Sequence, residues 1–154
     1  MLQLWLSLHI LGAIGAFGFG FAAPIFGAAL SREPQHGNWY LRAVKRISDV
    51  LIVPLALSMA VTGVLLVMES GGFRRFGELW LALSLVIYVG ALAAVFLVQR
   101  PVLARVIELT SGPPGPGGPP PEVPALIGRL KMVGIGLTAA VTAIVLLMVY
   151  RPTL

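Results

Sequence analysis

The chain has 154 residues, 58% of them hydrophobic and only 11% charged. Soluble domains carry roughly a quarter charged residues, so this composition excludes an ordinary soluble domain. The absence of cysteine excludes a disulfide framework, a thiolate metal site and a cysteine nucleophile.

Apolar residues come in unbroken runs, without the one-sided stripe of a soluble helix. Runs of about 18 or more apolar residues with few charges read as membrane spans. Four such runs fit: residues 4–30, 50–68, 79–98 and 132–150. Each must be a helix, because an isolated span in lipid has to satisfy its own backbone hydrogen bonds. The expected fold is therefore an all-α, four-transmembrane-helix bundle, in one integral membrane domain covering residues 1–154. The first span lacks a positive leader and is too long for a signal core, so it is expected to be a mature span.

The net charge of +5 follows topology and gives no reason to invoke nucleic acid. Arg32, Arg42, Lys45 and Arg46 lie between the first two spans; Arg100, Arg105, Arg129 and Lys131 lie between the last two. The opposite side has Arg74, Arg75 and Arg151. Lys/Arg excess marks the cytoplasmic side, which predicts both termini outside.

Along the chain, Pro34, Gly37 and Asn38 are expected to act as turn formers before Trp39 and Tyr40, residue types that settle at headgroup level. Pro54 is expected to bend the second span by removing a backbone donor. Arg100-Pro101 is expected to end or kink the third, with 102–109 continuing as a short surface helix. The Pro/Gly-rich loop 110–124 cannot bury a core and should be mobile or locally extended.

Membrane helices associate through close backbone packing and interhelical hydrogen bonds. At about 100° per residue, His9, Gly12, Ala13, Ala16, Gly20, Ala23, Pro24 and Gly27 share one face of the first span. Asp49, Ala56, Ala60 and Gly63 share a face of the second; Lys131, Gly134, Thr138 and Thr142 share one of the fourth. Gly12, Ala16, Gly20, Gly63 and Gly134 are thus the candidate helix-packing residues. Gly15 and Gly18 fall opposite His9, on a face expected to meet a protein partner or a second copy. Arg46 and Asp49, three residues apart, are expected to form an interfacial ion pair. The basic set Arg42, Lys45 and Arg46 suits anionic headgroups as well as simple anchoring.

His9 is the one ionisable residue well inside a span, and such a residue is a functional-site candidate by default. Two readings stand side by side. One is a neutral imidazole hydrogen-bonded to a neighbouring helix, with Thr62, Ser84, Tyr88 and Thr142 as candidate partners. The other is an axial ligand to a b-type haem seated over the small-residue face. No second histidine lies within a span, so a bis-histidine haem within one chain is excluded. Met68 and Met148 are the candidate second ligands. No nucleophile–base pair, nucleotide loop or metal constellation appears, and no catalytic residue is assigned.

The segment Leu8-His9-Ile10-Leu11-Gly12-Ala13 resembles the opening of a bacterial family of small predicted integral membrane proteins of unknown function (domain of unknown function 2269). So do Arg46-Ile47-Ser48-Asp49 followed by Pro54 and Thr62-Gly63, and Trp80-Leu81 opening the third span. The chain is more distantly similar to the copper-resistance D membrane domain and to HemJ-type protoporphyrinogen oxidase, which place a histidine in the first span. In the HemJ type that histidine acts in haem handling with a lysine in the third span; here that span has no lysine. The resemblance implies the fold, the topology and a haem role for His9, not that oxidase activity; the expected place is multi-pass in the cytoplasmic (inner) membrane. Three functions remain in order: a non-catalytic accessory or assembly subunit, a b-haem protein using His9, and a small transporter or channel. The last ranks lowest, since so few polar groups could line a pathway.

Overall fold

The structure, a computed structural model, describes residues 1–30, 32–72, 77–112 and 118–151, apart from the side chains of Pro24 and Pro34. Arg74, Arg75 and residues 113–117 of the Pro/Gly-rich loop lie outside the described residues. Among the described residues there are four long helices: α1 (Leu2–Leu30), α2 (Gly37–Ser70), α3 (Leu79–Leu109) and α4 (Val123–Tyr150). All four are long and apolar enough to cross a membrane, and the all-α, four-span reading holds.

The helices alternate in direction. One end of the bundle carries both termini and the α2–α3 connection; the other carries the Lys/Arg-rich connections and is called the basic end. α1 packs along α2 and α3 along α4, with a lighter contact between α1 and α4. α2 and α3 meet mainly near the basic end, where the start of α2 lies against the last turns of α3.

α2 and α3 are longer than their apolar runs. At 34 and 31 residues they reach about 51 and 46 Å at 1.5 Å per residue, against a hydrocarbon core of roughly 30 Å. The excess lies at the basic end as two helical arms. Of the two expectations for Pro101, an end or a kink, the helix does not end there: 102–109 continues α3 past a π turn, as part of the arm. The chain passes both prolines by the same device. A π turn, Ser48–Ile52 in α2 and Val95–Gln99 in α3, stands just before Pro54 and Pro101. Proline lacks an N–H and its ring clashes with the carbonyl four residues back. Widening the ladder relieves this: Val53 N–H bonds the Ser48 carbonyl and Arg100 N–H the Val95 carbonyl.

Tightly packed regions are few. In mid-bundle, Ala16, Ala56 and Met59 form a buried cluster flanked by Ala13, Phe17, Leu55 and Leu92. At the basic end Val102, Leu103, Val106 and Val123 are buried, with Val106 at 0% exposure. Near the termini, Trp80 and Ser84 of α3 are buried. Trp80 Nε1 donates to Glu78, and the Arg151 guanidinium sits 5.6 Å from its ring.

Candidate functional site at the α1–α2 seam

The α1 residues that meet α2 recur at three- and four-residue spacing, and His9 lies opposite Thr62. His9 Nδ1 lies 2.9 Å from Thr62 Oγ1. One turn toward the termini, Trp5 Nε1 donates to Glu69 at 3.2 Å. Toward mid-bundle the seam closes on glycines. A Cβ on Gly12 would sit 3.1 Å from Met59 Cγ, and one on Gly15 only 2.6 Å from Leu55 Cδ1. From the other side, a Cβ on Gly63 would meet His9 Cε1 at 3.4 Å. Gly63 therefore makes room for the imidazole, and Gly12 and Gly15 make room for α2.

The Thr62 hydroxyl stands among three partners: His9 Nδ1 at 2.9 Å, the Ser58 carbonyl at 3.1 Å and the Met59 carbonyl at 3.3 Å. Its single proton serves one of them, so it either accepts from an Nδ1–H while donating to a carbonyl of its own helix, or donates to Nδ1. The other polar side chains in the spans are likewise held by backbone: Tyr88 donates to the Ala56 carbonyl, Ser84 to Trp80, Thr138 to Gly134 and Thr142 to Thr138. Among the described residues no buried side-chain nitrogen or oxygen lacks a partner.

Of the four hydroxyls that sequence offered to His9, the structure selects Thr62. Gly12 and Ala16 are buried, and Gly20 faces α4, where a Cβ would lie 3.7 Å from Thr138 Oγ1. Gly134 has nothing within 4 Å of where its Cβ would be. Gly15 is corrected: it does not face outward with Gly18 but packs against Leu55, while Gly18 is exposed with nothing within 4 Å. Met59, which the sequence did not single out, is the sulfur buried in this seam. Met68 lies six residues beyond Thr62, about 9 Å along the helix, and is 43% exposed. Met148 lies in the last turn of α4, where its carbonyl accepts from Arg151 Nε.

These positions bear on a haem at His9. Nδ1 is engaged with Thr62, which leaves Nε2 as the nitrogen to ligate, but the face expected to leave space for a flat macrocycle is filled by Met59 and Leu55. The residues here do not fit a haem on that face. Among the described residues, no group of three or more His, Asp or Glu could hold a metal ion.

A second polar centre lies at the π turns. The Asp49 carboxylate takes Lys45 Nζ at 2.6 Å and Arg100 Nη2 at 2.8 Å. Arg46, the partner expected from spacing, is exposed and makes no ion pair with it. The Arg100 guanidinium also lies 5.2 Å from the Phe96 ring.

Four apolar spanning helices, a glycine-lined seam and one intramembrane histidine engaged in a helix-to-helix bond define a polytopic membrane bundle. Within that class, the chain belongs to the DUF2269 family of predicted integral membrane proteins, whose model matches residues 3–152. No curated protein and no solved structure matches it.

Proposed function

We propose that this protein is a non-catalytic membrane subunit that packs against a transmembrane helix of a larger partner, with its basic end in the cytoplasm. One observation carries the reading. Between α3 and α4 runs an open groove of about 290 Å³, lined by Ile87, Gly90, Ala91, Ala94, Val133, Gly136, Leu137 and Ala140. Gly90 and Gly136 are exposed, with nothing within 4 Å of where a Cβ would be. Unlike Gly12 and Gly15, these glycines therefore contribute nothing to the bundle's own packing. Small residues at four-residue spacing, Gly90 with Ala94 and Gly136 with Ala140, let another helix backbone approach closely. The engagement of His9, Thr62, Tyr88 and Ser84 in structural hydrogen bonds supports a role without catalysis or a polar pathway.

The test replaces Gly90 and Gly136 together with leucine in the native membrane, followed by extraction into native lipid discs and sizing. The expected result is a wild-type particle carrying a second protein, and a double variant that loses it while keeping its helicity. A particle of exactly two copies would identify the partner as this chain itself and overturn the hetero-partner reading. Unchanged association of the double variant would overturn the groove.

A further inference from the structure

We infer that Arg42 and Arg46, beside Trp39 on the exposed face of the α2 arm, form a binding site for one anionic phospholipid. This goes beyond the proposed partner role and does not depend on it.

The basic set that sequence grouped, Arg42, Lys45 and Arg46, is divided by the structure. Lys45 turns to Asp49 and is neutralised there. Arg46 is exposed, and among the described residues its side chain has no hydrogen bond or ion pair. Arg42 gives one N–H to Ser111 Oγ at 3.1 Å. That bond steadies the guanidinium and leaves its other donors open. Trp39, Arg42 and Arg46 stand at i, i+3 and i+7, so they share one face of the helix. Two guanidiniums one turn apart can hold a single phosphate between them through charge-assisted hydrogen bonds. Arg129 and Lys131 of α4 are also exposed, but two residues apart they do not share a face.

The level of this face is set by α1. The Phe26 ring lies 6.1 Å from the Tyr40 ring, so the apolar end of α1 stands beside the α2 arm. There α1 exposes Phe26 and, just before it, Ile25 at 73%, while Trp39 of α2 is 71% exposed. Apolar side chains exposed in this way seek lipid, and tryptophan settles at headgroup level. On this side of the bundle the α2 arm therefore meets the membrane and does not stand clear in water. Arg42 and Arg46 follow Tyr40 towards mid-bundle, about 3 and 9 Å further along the helix. A cation at that depth needs an anion, and the protein supplies Arg46 with none. A lipid phosphate supplies one, reached by the long side chain turning back towards the headgroups. Val50, one turn beyond Arg46, is exposed and begins an apolar surface for the acyl chains. A zwitterionic headgroup brings its own cation against the two guanidiniums; an anionic one does not, which sets the preference.

The test adds phosphatidylglycerol, or phosphatidylcholine with the same chains, to the purified protein in nonionic detergent, and counts bound lipid by native mass spectrometry. Wild type should retain one phosphatidylglycerol in preference to phosphatidylcholine by at least about fivefold, the effect of one cation at a membrane surface. Arg42→Gln with Arg46→Gln should bring the two lipids level. Arg129→Gln with Lys131→Gln removes the same charge from the same end and should leave the preference intact. Should the Arg42/Arg46 variant fail to fold, Arg46→Gln alone breaks no contact within the protein and should lower the preference several-fold. An unchanged preference in either folded variant overturns the site, as does equal binding of the two lipids by wild type. An equal loss in the Arg129/Lys131 variant also overturns it, because attraction by net charge would then suffice. Displacement of the bound lipid by added inorganic phosphate would make the ligand a free anion and overturn the lipid.

Discussion

Arg100 reaches Asp49 across 51 positions of sequence, at 2.8 Å, and does so from the residue that closes one π turn to a residue inside the other. Asp49 also takes Lys45 from its own helix, so one carboxylate joins both cations. All three side chains are partly exposed, where an ion pair is worth about 1 kcal/mol or less. We expect Asp49→Ala to lower thermal stability in mild detergent by no more than a few degrees, and Arg46→Ala to leave it unchanged. A larger loss for Arg46→Ala, read by the loss of helical circular dichroism on heating, would restore the partner expected from spacing.

Thr62→Val keeps the shape of the side chain and removes the hydroxyl that holds His9. Interhelical hydrogen bonds in membranes average about 0.6 kcal/mol and reach about 1.7, so a destabilisation in that range is expected. In a double-mutant cycle with His9→Leu the two changes should be non-additive by the same amount. Full additivity would show that the His9–Thr62 bond contributes nothing.

The glycines of α1 should separate by face. Gly12→Leu forces a branched side chain onto Met59 and should cost about 1–3 kcal/mol, the usual range for overpacking. Gly15→Leu should also destabilise, with part of the strain relieved because its close neighbour is the flexible end of Leu55. Gly18→Leu should be nearly neutral. Reversal of the order between Gly12 and Gly18, measured by unfolding in mixed detergent micelles, would contradict the seam.

The orientation rests on eight of the eleven Lys/Arg residues lying toward the basic end. A cysteine placed at exposed Gln35 should react with an impermeant maleimide only after the membrane is opened, and one at Leu2 should react in intact cells. Gly117 of the Pro/Gly-rich loop, outside the described residues, should follow Gln35. Labelling of Gln35 from outside would invert the topology.

Much of this was legible in the sequence, for a physical reason. Apolar runs long enough to span lipid have one backbone solution, so four helices follow from composition alone. The small face around His9, Gly12 and Ala16 was legible too, because helical phase is reliable within one turn or two. Gly15 was missed because it lies on the flank of that face, about 100° from Ala16, where the Leu55 side chain reaches across to it. Pro101 read as either a stop or a kink because proline removes a ladder bond, and the π turn that accommodates it has no residue signature of its own. The Asp49–Arg100 pair depends on two helices crossing at one level, which spacing along one helix does not encode. Gly90 and Gly136 passed unremarked because an outward glycine differs from an inward one only once the neighbours are placed.

The central claim is that this bundle works pressed against another protein's helix, and the wild-type particle tests it most directly. Extracted from its native membrane into lipid discs without detergent and weighed by native mass spectrometry, it should carry a second, different membrane protein in fixed ratio. A particle holding one copy of this chain and lipid alone would contradict the account.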